Sequence, residues 1–137
     1  MGIAGSAPGL TDLRALLAAL EPTMDPVPKR FLHVSHEKSR ERMADALMMF
    51  REAEGTTLIV DVDPDADAVA SERLLWARIT LRVQSSLTAV GMMAAVSAAL
   101  AKRGIPCNPV SAFLHDHLFV PWERRDDALD ALSHLTP

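Results

Sequence analysis

Tyrosine is missing from this chain, and cysteine occurs once, at Cys107. A single cysteine excludes an internal disulfide and fits a reducing, cytoplasmic compartment. Aromatics are scarce, with four phenylalanines and two tryptophans. A sheet that reads single-stranded RNA needs exposed aromatics in basic surroundings, and here the net charge is −4. Nucleic acid is therefore not an expected partner. No apolar run approaches the ~18 residues that argue for a membrane span. The opening residues MGIAGSAPG lack a basic stretch followed by an apolar one, which argues against a secretory signal. Gly2 and Ser6 satisfy the loose N-myristoylation pattern, but residues 1–9 read more simply as a disordered Gly/Ala/Pro tail. Also missing are paired carboxylates, a phosphate-binding glycine loop and a nucleophile elbow. No cofactor is implied, and an enzyme is the least supported class.

What the chain does have is apolar material in regular patterns. With 137 residues and 49% hydrophobic content, it can bury one compact core or two small coupled ones. The stretch Ile79–Trp122 organises it. Ala77, Ile79, Leu81 and Val83 alternate with Arg78, Thr80, Arg82 and Gln84, the pattern of a strand with one greasy and one wet face. Such a strand belongs to an antiparallel or mixed sheet covered by helices on one side. Ser85 and Ser86 end it, and either can cap the next helix.

That helix is expected from about Leu87 to Arg103. Ala89, Met93, Val96 and Leu100 make one apolar face, and Leu87, Val90, Ala94 and Ala101 a second. One face would cover the sheet and the other would meet a subdomain or a second copy of the chain. A hairpin follows, with Val110, Ala112 and Leu114 on one arm, Leu118 and Val120 on the other, and His115-Asp116 as its turn. This register sets Ala112 opposite Phe119 and Val110 opposite Pro121. Asp126 then caps a helix striped by Ala128, Leu129, Leu132 and Leu135. The order β-α-β-β-α is that of a split-βαβ, ferredoxin-like unit.

The first half repeats this order in pattern. Thr11 caps a helix with Leu13, Leu16, Leu17 and Leu20 as its stripe, stopped at Glu21-Pro22. The proline-rich segment to Pro28 is a linker or an extended crossing. Arg30–His36 reads as a strand, Ser39 as the cap of a short helix carrying Met43 and Leu47, and Met48–Arg51 as extended. Glu54-Gly55 turns the chain into a strand over Thr57–Val62, and Pro64–Glu72 reads as a turn with a short acidic helix. The expected organisation is a tail over residues 1–9, one α+β subdomain over 10–75 and a second over 76–137.

FREAEGTTLIV (Phe50–Val60), ITLRVQSSLTAVGMMAAVSAAL (Ile79–Leu100) and NPVSAFLHDHLFVP (Asn108–Pro121) resemble a bacterial family of paired ACT domains. That family is related to the regulatory domain of aspartate kinase and to the CASTOR arginine sensors. The resemblance implies an α+β, ferredoxin-like ACT fold in two coupled subdomains. It also implies a regulatory protein that binds a small molecule such as an amino acid, without catalysis, as a homodimer. Members often carry His where this chain has Gln84 and an aromatic where it has Leu114.

ACT domains bind at the turn between the first strand and first helix, which by this resemblance is Gln84–Gly91. The expected ligand-binding residues are Gln84, Ser85, Ser86, Leu87, Ala89, Val90, Gly91, Asn108, Val110 and Ser111. Physical chemistry offers its own reason: free N–H groups at a helix start seat a carboxylate, and Gly91 permits close backbone approach. Asn108–Ser111 would face the ligand's amine. Each feature also has a plain reading, as caps for Ser85 and Ser86, as packing for Gly91, and as turn chemistry for Asn108 before Pro109. His115 and His117 with Asp116 invite a metal reading, but zinc wants about three or four ligands, and the other candidates, His33 and His36, lie far away in sequence. A solvated hairpin tip is the plainer reading. An interaction module that regulates a partner without any small ligand is the alternative.

Overall fold

The computed structural model describes residues 9–63 and 74–137. The myristoylation pattern at Gly2 and Ser6, and the whole of the acidic segment expected over Pro64–Glu72, lie outside the described residues. The elements run α1 (Leu13–Ala18), β1 (Pro22–Met24), β2 (Lys29–Val34), α2 (His36–Glu41), β3 (Ala46–Arg51), β4 (Thr56–Asp61), β5 (Trp76–Leu81), α3 (Met92–Lys102), β6 (Asn108–Ser111), β7 (Asp116–Pro121) and α4 (Arg125–Ser133), with a 3₁₀ turn at Trp122–Arg124 before the last helix. The fold is α+β, ferredoxin-like in both halves.

All seven strands join one antiparallel sheet in the order β3-β4-β2-β5-β7-β6, with β1 also on β5. β7 follows β5 along its whole length, from Trp76↔Pro121 to Leu81↔Asp116. β1 and β2 therefore share the opposite edge of β5. β2 meets it only at Lys29↔Trp76, and β1 takes Ile79–Leu81. The proline-rich segment thus includes a strand that belongs beside the second half of the chain.

Alternation on β5 is honoured. Ala77, Ile79 and Leu81 are fully buried, as are Leu118 and Val120 of β7. Over them pack Met92, Val96 and Leu100 of α3, Ala128, Ala131 and Leu132 of α4, and Leu16 and Leu17 of α1 with Leu20 just beyond it. Each such aliphatic side chain contributes about 1.5–3 kcal/mol by leaving water. The other face of the sheet holds Phe31, which lies 5.4 Å from Trp76 and edge-on to Phe119 at 5.7 Å, centroid to centroid. There too Lys29 is buried, its ammonium paired with Asp25 and Asp61.

Several expectations need correction. α3 starts at Met92, five residues later than the periodicity suggests, with Gly91 as its cap at φ +101°. The cause is local. Ser86 takes the N–H of Thr88 on its hydroxyl and that of Ala89 on its carbonyl, closing a single turn. Gly91 in the left-handed region then breaks the helical path, so that α3 opens with Ala95 N–H on the Gly91 carbonyl. Ser85 and Ser86 are therefore not helix caps. Leu87 and Val90 stand exposed in the loop at 65% and 81%, and Ala94 and Ala101 face solvent, so the second apolar face is not buried.

The second hairpin turns at Phe113-Leu114, closed by Ala112 N–H to the His115 carbonyl, and not at His115-Asp116. Val110 faces His117 and Asn108 faces Phe119. The slip is an even number of residues, so each side chain keeps its face. It places Asp116 inside the sheet, where two hydroxyls reach it.

Caps shift as well. Asp12, not Thr11, accepts the first-turn N–H of α1, from Ala15 at 2.8 Å. Ser35, not Ser39, caps α2 through Lys38 N–H. Ser39 is buried within α2, Met43 is 55% exposed, and Leu47 belongs to β3. Arg124, not Asp126, holds the cap position of α4. Gly9, expected in the loose tail, lies against the backbone of Ser85 and Ser86.

Candidate ligand-binding cleft

Asp116 begins β7 and is 5% exposed. It pairs in register with Ser111 at the end of β6, whose hydroxyl donates to Oδ1. Ser85, just past β5, donates its hydroxyl to Oδ2 at 2.9 Å. The carboxylate is thus held between two strand ends and a loop, and no lysine or arginine pairs with it among the described residues. Each oxygen accepts one hydroxyl bond and keeps further acceptor capacity.

Around it opens a cleft lined by Ser85, Ser86, Leu87, Ala89, Met92, Met93, Ser111, Ala112 and Asp116, enclosing about 380 Å³ of space with its open mouth included. The two methionines are the first residues of α3. First-turn N–H groups have no intrahelical acceptor, and they carry the positive end of the helix dipole. The cleft therefore pairs a negative floor with a helix start that favours negative charge, and lines the space between with Leu87, Ala89, Met92, Met93 and Ala112.

Five of the ten residues expected at the site line this cleft: Ser85, Ser86, Leu87, Ala89 and Ser111. Gln84 is exposed and does not line the cleft, and its carbonyl accepts the Leu10 N–H at 2.8 Å. Val90 points to solvent. Gly91 is set against Leu13, whose Cδ2 lies 3.2 Å from where a β-carbon would stand. Asn108 and Val110 sit farther along β6, which is not a neighbour of β5, because β7 lies between them. Sequence reasoning missed Asp116 by assigning it to the hairpin turn; Met92 is the core residue its spacing suggested and borders the cleft as well. The signal for Asp116 was its acidic side chain among the alternating apolar residues of β7.

Other reactive-looking groups are spoken for. His117 lies on the opposite face from Asp116, its Nδ1 3.0 Å from the Thr80 hydroxyl. Burial first, then the charges of Arg78 and His115, lower its pKa, with Asp116 opposing. No group of three or more metal-ligating side chains converges among the described residues. Burial pushes the Cys107 thiol pKa up, the reverse of what a nucleophile needs.

Residues 8–75 match a family model described as an ACT domain, and residues 75–134 match a second one. The chain belongs to the ACT-domain family. It is a tandem ACT protein, and ACT domains point to a regulatory, ligand-binding role. A solved structure of VC0802 from Vibrio cholerae, described as a protein of unknown function and possible transport protein, superimposes with a TM-score of 0.73. It shares 35% identity over 86% of this chain and 91% of its own. Atu0741 from Agrobacterium tumefaciens has a TM-score of 0.59 at 16% identity, covering 83% of this chain and 87% of its own. The second likeness shows the fold alone. No curated protein matches the tandem ACT chain, and no helix among its described residues is long and apolar enough to cross a membrane.

Proposed function

We propose that this tandem ACT protein is an amino-acid-binding regulator without catalysis of its own, its ligand seated in the Asp116 cleft. The observation that carries this reading is the buried Asp116 carboxylate lacking a cation partner, in a cleft shared with the first turn of α3. An α-amino acid complements both ends. Its ammonium replaces the missing cation at Asp116, and its carboxylate meets the N–H groups of the helix start. The apolar lining favours an aliphatic side chain. The amine is thus placed at Asp116, with Ser111 beside it, instead of along Asn108–Ser111.

The test is a thermal-shift screen of the common amino acids, repeated with Asp116→Asn. A ligand at 100 times its Kd adds about 2.7 kcal/mol, which moves the midpoint on the order of 5 °C or more in a domain of this size. A shift with an aliphatic amino acid, abolished in the variant, supports the reading. A response that persists in Asp116→Asn places the ligand elsewhere.

A second reading has its own observation. Leu10, Leu87, Val90, Phe113 and Leu114 are exposed on the loops and the arm that frame the cleft. Apolar groups gathered so suit a protein partner, a second copy of the chain among them. A blank across the amino-acid panel with a dimer in light scattering would favour that reading.

A further inference from the structure

The loop between β5 and α3 carries one wall of the cleft but has little holding it from within. Leu87 and Val90 are solvent-exposed, and its side-chain bonds are Ser85 to Asp116 and Ser86 to Thr88. Loops with few buried contacts sit at the low-stability end of a fold. Its first residues are tied to the segment after α1, Arg82 N–H to the Glu21 carbonyl and Val83 N–H to the Leu20 carbonyl, with Val83 in the core. At Ser85 and Ser86 the backbone restraint comes from Gly9 and Leu10. Leu10 N–H donates to the Gln84 carbonyl at 2.8 Å, and the Leu10 carbonyl accepts the Ser86 N–H at 3.0 Å. These two bonds form a parallel bridge between Leu10 and Ser85.

Gly9 lies so close that a β-carbon on it would stand 2.5 Å from the Ser85 carbonyl carbon and 2.6 Å from the Ser86 nitrogen. Leu13 backs Gly91 at the far end of the loop. The arm is itself anchored, because Leu16 and Leu17 of α1 are in the core.

We infer that Gly9–Leu13 is the positioning element of the ligand cleft: it fixes the backbone of Ser85 and Ser86, and so the wall facing Asp116, without lining the cleft. This rests on the amino-acid reading above. Fixing the wall before the ligand arrives removes an ordering cost from binding. By linkage, ligand and arm then stabilise one another equally.

The test uses the full chain with Gly9→Val, whose β-carbon would stand within 3 Å of the Ser85 and Ser86 backbone, so that arm and loop must separate. The readouts are amide hydrogen exchange at Ser86, the Kd for L-leucine by calorimetry, and the urea midpoint. The expected result is about tenfold faster Ser86 exchange and about tenfold weaker L-leucine binding, the weight of one or two net hydrogen bonds, with the global midpoint near that of the wild type. Unchanged Ser86 exchange overturns the inference, and so does faster exchange with an unchanged Kd.

If Gly9→Val fails to fold, Leu10→Pro removes the N–H given to Gln84 while keeping the carbonyl that accepts from Ser86. It also fixes φ and changes the side chain at residue 10, and it carries the same expectations. If the wild type binds no L-leucine, the amino-acid reading fails for this ligand. The arm's hold on the loop is then still decided by exchange: acceleration at Ser86 supports it and an unchanged rate overturns it.

Discussion

The Lys29 ammonium lies 2.9 Å from the carboxylate of Asp25, four residues earlier, with the lysine side chain only 1% exposed. The same carboxylate accepts from Arg78 at 2.8 Å and from the Val27 N–H at 2.9 Å. This knot ties the segment after β1 to β2 and β5, where the two halves of the sheet meet.

Acid should loosen that knot. Burial works against the charge on Asp25, but the bonds from Lys29, Val27 N–H and Arg78 outweigh it and bring the pKa from 3.8 to about 2. The unfolded chain therefore takes up the proton first, and stability falls as pH falls. The contribution is complete above the unfolded value of 3.8 and is lost as pH drops through about 2. Urea midpoints over this range should decline more steeply for the wild type than for Asp25→Asn. Parallel profiles would show that Asp25 does not titrate this way.

The partners in the knot are not equivalent. Asp61 is 55% exposed, so deleting Lys29 leaves carboxylates that reach water or Arg78. Deleting Asp25 leaves a buried ammonium with one partner. Removing a member of a buried pair is costly when the charge left behind stays buried. Asp25→Ala should cost about 2–3 kcal/mol and Lys29→Met about 1 kcal/mol or less. Denaturant titrations of both variants check the order, and the reverse ranking would contradict it.

At the cleft, Asp116→Asn keeps the shape but offers the hydroxyls of Ser85 and Ser111 only one acceptor oxygen. Loss of one buried hydrogen bond should lower stability by about 1–3 kcal/mol, and binding of an ammonium should disappear. Calorimetry with aliphatic amino acids, together with a urea titration, reads both effects. Full binding in a stable variant would remove Asp116 from the site.

Gly91 caps α3 at φ +101°, where any β-carbon is strained. Gly91→Ala should cost about 1–2 kcal/mol, seen as a lower urea midpoint with unchanged slope. The nearest atom is the flexible Leu13 side chain, so backbone strain and not collision would carry the loss. A variant as stable as the wild type would show that the loop relaxes freely.

The sequence carried the strands well where one face was buried. Ala77, Ile79 and Leu81 alternate, and the structure buries all three. Shorter-range competition was harder to read. Leu87, Val90 and Ala94 keep helical spacing, yet Ser86 closes only a single turn and the left-handed Gly91 breaks the path, so the helix begins at Met92. The register of the second hairpin depended on Asp116, whose partners Ser85 and Ser111 are brought to it by the fold. Hence half of the cleft was legible and its charged floor was not. The pairing of Pro22–Met24 with β5 joins residues more than fifty positions apart, which periodicity does not encode.

That pairing has a consequence for how the protein is made. Residues 13–24 emerge early from the ribosome, but the surfaces that receive them, β5 and α3, are translated much later. Until then Leu16, Leu17 and Leu20 have nothing to pack against, and β1 has no neighbour. The second half cannot close its core without Leu16, Leu17 and Leu20. A fragment starting at Trp76 would therefore lack an edge strand and a helix, and the two halves should fold as one cooperative event once α4 has been translated.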